Sequence, residues 1–97
     1  MKESNIEKYF KDELKKIGGT SRKFVSPGYD SVPDQIGILN GYVFFVELKA
    51  HAEPTDAQKR EHKRLREHGA DVYVVSSFYE VDLLINILFE EHGGNGR

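Results

Sequence analysis

The sequence contains no cysteine, which excludes a disulfide framework, a thiolate zinc site and a cysteine nucleophile. It also lacks a long hydrophobic run. The stretch with least charge, Val32 to Val46, contains Asp34 and falls short of the ~18 apolar residues of a membrane span. Neither sign of charge dominates: 14 Lys and Arg stand against 16 Asp and Glu, a formal net charge of -2. Non-specific coating of nucleic acid is driven by phosphate neutralisation and favours a basic excess, so that class is disfavoured. An enzyme with a local basic face is not excluded. Internal repeats are absent, and Met1-Lys2-Glu3-Ser4 has no signal-peptide pattern, so a soluble cytoplasmic protein with no membrane partner is expected.

At 97 residues the chain has room for one modest core, because a domain this short buries only roughly 60–65% of its unfolded surface. Oligomerisation is one way to enlarge such a core. Residues 1–92 are expected to fold as a single domain, and Gly93-Gly94-Asn95-Gly96-Arg97 to form a disordered tail.

Ser4 and Glu7 have capping-box spacing, and Ile6, Tyr9, Phe10, Leu14 and Ile17 form an apolar stripe, predicting a helix over 4–17 that stops at Gly18-Gly19. Glu7 lies at the edge of that stripe and leans inward. Ser21 to Val25 reads as a short strand ending in a type II turn at Ser26-Pro27-Gly28. Asn40-Gly41 then separates Gln35-Ile36-Gly37-Ile38-Leu39 from Tyr42-Val43-Phe44-Phe45-Val46-Glu47-Leu48-Lys49, a strong hairpin signal. A two-residue loop fixes the register: Leu39 faces Tyr42, and Asp34 therefore faces Glu47. Period-2 alternation puts Lys49 on the face of Glu47 and Leu48 on the other. Three charged side chains converge at one end of an apolar hairpin.

Thr55 and Gln58 form a second capping box, opening a helix to about His68 closed by Gly69. Ala57 and Leu65, flanked by Gln58, Glu61 and His62, share one side of it; Lys59, Lys63 and Arg66 lie opposite. Ala70 to Ser76 is a β-branched strand, parallel to the Glu47 strand because a helical crossover joins them. Ser77 and Glu80 cap a last helix with Val81, Leu84, Ile85, Leu88 and Phe89 on one face, widened by Leu83 and Ile87. The histidines, His51, His62, His68 and His92, lack i, i+4 ligand spacing and are expected to be exposed. Only His51, two residues after Lys49, falls near the convergent charges.

Opposed carboxylates repel, so either Lys49 and solvent screen them or a divalent cation neutralises them. Pro33-Asp34 followed by Glu47-Leu48-Lys49 resembles the signature of the PD-(D/E)XK nuclease superfamily. Taken with Ser26-Pro27-Gly28, Val32-Pro33-Asp34, Phe45-Val46-Glu47-Leu48-Lys49-Ala50, Gln58 and the Val-rich last strand, the chain resembles the small single-domain phage and bacterial VRR-NUC proteins from about Ser4 to Leu88.

That resemblance implies an α/β, restriction-endonuclease-like αβββαβα core with a mixed four-stranded sheet flanked by helices. It implies a Mg²⁺- or Mn²⁺-dependent endonuclease hydrolysing DNA phosphodiesters, selective for branched DNA such as four-way (Holliday) junctions and acting as a homodimer. No nucleotide cofactor is implied, and a phage-encoded member would act in a bacterial cytoplasm. Asp34, Glu47 and the Leu48 backbone carbonyl would hold the metal, with Glu7 as a further ligand. Lys49 would orient the attacking water, and Gln58 would support the lysine or a phosphate. Arg22, Lys23, Lys59, Lys63 and Arg66 are the candidate DNA contacts. The family's arginine near the end of the last strand has no counterpart, since Ser76-Ser77 follow Val75. A nuclease for duplex, flap or single-stranded DNA, and an inactive DNA-binding module, are the alternatives.

Overall fold

The computed structural model describes residues 2–93; the expected tail falls outside them except for Gly93, which caps the last helix. The elements are α1 (Glu3–Lys16), β1 (Thr20–Lys23), β2 (Gln35–Leu39), β3 (Tyr42–Leu48), α2 (Asp56–Glu67), β4 (Val72–Val75) and α3 (Phe78–His92). The sheet order is β1-β2-β3-β4, antiparallel except for the parallel pair β3 and β4. This is the expected αβββαβα order with a mixed sheet. Among the described residues no helix is long and apolar enough to cross a membrane.

The hairpin register is the one dictated by the turn. Asn40 and Gly41 both have positive φ, 51° and 87°, as a type I′ turn requires, and Leu39 pairs with Tyr42 through to Gln35 with Val46. Alternation then sorts the side chains. Leu39, Phe44, Val46 and Leu48 join Val75 on one face, where Ile6, Phe10 and Leu14 of α1 and Val81, Leu84, Ile85 and Leu88 of α3 complete the core. Each such side chain contributes roughly 1.5–3 kcal/mol when fully buried. Ile36, Ile38, Val43, Phe45 and Glu47 take the other face, which α2 covers on the β4 side.

Close packing of the core face makes one glycine essential. A Cβ on Gly37 would fall within the ring of its cross-strand partner Phe44. Gly37→Ala is therefore expected to cost about 1–3 kcal/mol, as overpacked cores do, and to lower the urea midpoint with an unchanged m-value. A variant as stable as the native protein would refute this packing.

Two helix readings are corrected. The Ser4/Glu7 capping box does not form: α1 begins at Glu3 behind Lys2, which offers no side-chain cap, so Ser4 already lies inside the first turn. Phe89 is 45% exposed, because Val81, Leu84, Ile85 and Leu88 alone supply the stripe that meets the sheet and α1. Tyr42 ties the hairpin to the end of α3 by stacking on His92, with ring centroids 3.6 Å apart, so His92 is half-buried rather than exposed.

Candidate active site

The site forms where β2 and β3 part company. Main-chain pairing between them ends at Gln35 and Val46, and beyond it the Asp34 carboxylate takes over: Leu48 N–H donates to Asp34 Oδ2 at 2.9 Å. On the other side, Phe24 N–H donates to the Asp34 main-chain oxygen at 2.8 Å. Asp34 is thus held from β1 and β3 together. Lys49 N–H donates to Val75 on β4. By strand alternation the N–H and C=O of Leu48 point away from β4, so its carbonyl opens on the same gap as Asp34.

Glu47 is the centre of the cluster. It is fully buried, Lys49 Nζ lies 3.8 Å from its Oε2, and Gln58 Nε2 donates to that same oxygen at 3.2 Å. Gln58 serves twice: its Oε1 accepts from Thr55 N–H at 2.9 Å, completing the capping box, while its amide nitrogen reaches Glu47. Burial, then the like charge and hydrogen-bonding reach of Asp34, push the Glu47 carboxyl up to about 8, with Lys49 opposing.

The largest departure from the sequence reading is His62. It is 2% exposed, not a surface residue, and its Nε2 faces Glu47 Oε1 at 3.4 Å. Burial holds this imidazole below its ordinary value, with Arg66 adding to the effect. The signal was on the helical projection, since His62 follows Gln58 by one turn and shares its side. His51, by contrast, is exposed in a left-handed backbone conformation (φ 60°), and His68 is exposed.

Glu7 forms an ion pair with Lys11 at 3.5 Å. Among the described residues no group of three or more His, Cys, Asp or Glu side chains has metal-holding geometry. The basic candidates also separate. Arg22 pairs with Ile36 and so shares the sheet face of Glu47, whereas Lys23 pairs with Gln35 on the opposite side. Lys59 and Lys63 form ion pairs with Glu53 and Glu67, and Arg66 donates to the Val72 carbonyl at 2.6 Å.

The donor set fits a hard divalent cation. Two carboxylates and a main-chain oxygen meet at one gap, and the buried Glu47 Oε1 has no hydrogen-bond partner. Mg²⁺ or Mn²⁺ accepts such a partial set, completing its shell with water and substrate phosphate oxygens.

A sheet of this topology, with two acids and a lysine at the split between its second and third strands, defines a nuclease core of the PD-(D/E)XK type. The chain belongs to the VRR-NUC family of nucleases. A solved VRR_NUC domain superposes with a TM-score of 0.81 at 41% identity, covering 87% of this chain and 94% of that one. The chain is also 49% identical over 79 residues to "Putative nuclease p44" of Acyrthosiphon pisum secondary endosymbiont phage 1, spanning 79% of this chain and 85% of the relative. No family model matches the chain.

Proposed function

We propose that the protein is a divalent-metal-dependent DNA endonuclease that cuts branched DNA, four-way junctions included, as a homodimer. The observation that carries the chemistry is the meeting of Asp34, Glu47 and Lys49 at one strand gap, with Gln58 braced against Glu47. Asp34, Glu47 and the Leu48 carbonyl would hold Mg²⁺ or Mn²⁺. The ion, when bound, supplies acidification of water and charge neutralisation at the scissile phosphate.

The chain's own residues do the rest. Lys49, with its side chain 17% exposed, offers its ammonium to the nucleophilic water and to the non-bridging phosphate oxygens. Gln58 holds one oxygen of the Glu47 carboxylate, Oε2, at 3.2 Å. A cleft of about 560 Å³ bordered by Phe24, Tyr29, Val32 and Asp34 gives the substrate an approach to Asp34. Arg22 contributes positive charge on the same sheet face.

Dimerisation is supported by the outer face of α3, where Tyr79, Leu83 and Ile87, one turn apart, are 69%, 44% and 43% exposed. Contact there leaves the opposite sheet face, with the site, open to DNA.

Labelled linear duplex, single-stranded, flap and four-way-junction DNA, incubated with Mg²⁺, Mn²⁺ or EDTA, tests this reading. Metal-dependent paired incision of the junction is expected. Equal cutting of linear duplex would remove the branched-substrate preference, and junction binding without cleavage would favour an inactive binding module. Light scattering should give twice the 11.1 kDa chain mass. Leu83→Glu should halve it.

A further inference from the structure

We propose that His62 is a positioning residue for Glu47, its Nε2–H holding Oε1 so that the carboxylate is presented in one orientation to the cation. The proposal rests on the metal-nuclease reading above. His62 and Glu47 are both buried, their facing atoms lie 3.4 Å apart, and neither atom has a hydrogen-bond partner. Among the described residues, the other side-chain nitrogens that reach this carboxylate lie on Oε2: Gln58 at 3.2 Å and Lys49 at 3.8 Å. A grip on one oxygen leaves the plane of the carboxylate free to turn. A donor at Oε1 would fix it.

The helix supplies that donor by simple spacing. Gln58 and His62 are one turn apart on α2, so a single face delivers a donor to each oxygen of one carboxylate. An ionised carboxylate only accepts hydrogen bonds, so the imidazole serves it in the form carrying its proton on Nε2. Direct ligation is the weaker alternative, because hard Mg²⁺ favours oxygen over imidazole nitrogen. Hydrogen-bond partners of metal ligands commonly set affinity by 10–100-fold.

Two measurements on the full chain test the role, neither relying on activity. Mn²⁺ binding by calorimetry is compared in the native protein, His62→Gln, His62→Met and Asp34→Asn, each first shown to melt cooperatively without metal. Gln and Met have matched length, and only Gln keeps an N–H at its end. The expected result is a Kd about 10-fold or more weaker for His62→Met, with His62→Gln within about threefold of native. Equal affinities for the Gln and Met variants would overturn the role while leaving the metal centre intact. Absence of native Mn²⁺ binding sensitive to Asp34→Asn would overturn the nuclease metal site itself, and this role with it. In the native protein with Mg²⁺, long-range ¹H–¹⁵N spectra should show His62 protonated on Nε2. A bare Nε2 would refute the hydrogen bond without recourse to any variant.

Discussion

Lys49→Ala should reduce DNA cleavage by roughly 10²–10³-fold while leaving metal binding and the fold in place. The ammonium lies 3.8 Å from Glu47 Oε2, outside the core, so its removal opens no cavity among the apolar side chains. On the proposed mechanism, what is lost is a positive group beside the reacting phosphate, and such groups act most strongly where water is excluded. The lysine is also a cation next to a cation site. Its removal relieves repulsion of the ion but also lets the Glu47 carboxyl rise further, and because these two effects oppose each other the Mn²⁺ Kd should stay about level. Asp34→Asn should behave in the opposite way, losing Mn²⁺ affinity along with cleavage. Single-turnover rates and calorimetry on both variants separate the two roles. A Lys49→Ala protein that cuts at the native rate would remove Lys49 from the chemistry.

The second large effect is on stability and needs no substrate. In the metal-free fold Glu47 is raised to about 8, above its unfolded value near 4.5, so the folded protein favours the protonated form. Stability from this group is complete below pH 4.5 and is lost as pH rises through the folded value. His62 is lowered, so its contribution runs the other way, present above 6.5 and lost as pH falls. The two oppose each other in acid. Between pH 6.5 and 8 the Glu47 loss is the one that remains, so stability falls as pH rises. Urea unfolding in EDTA should therefore show a falling stability over this window. Mg²⁺ stabilises the ionised carboxylate and should abolish the fall, and Glu47→Gln should remove it with or without metal. A flat profile in EDTA would contradict the buried, carboxylate-crowded environment of Glu47.

How far the sequence reached depended on the range of the forces involved. The Asn40-Gly41 turn fixes the hairpin register locally, and a period of two carries it as far as Gln35 and Val46, one residue short of Asp34 and Glu47, where the strands part. The Thr55 and Gln58 capping box is equally local, and it forms as read. At Ser4 and Glu7 the same spacing misleads, because the N-cap position falls at Lys2, two residues earlier, and neither side chain caps the helix. Spacing alone does not say where a helix starts when its first turn faces water.

By itself, then, the sequence determined the order of elements, the mixed sheet and the three charged residues at the hairpin's open end. Only the tertiary structure decided that His62 lies buried against Glu47 and that Asp34 replaces a strand in bonding Leu48. A strand carries its neighbours' facing in its own periodicity. The rotation of a helix about its axis is set only when it docks, and α2, with little apolar surface to orient it, docks with Gln58 and His62 turned toward Glu47.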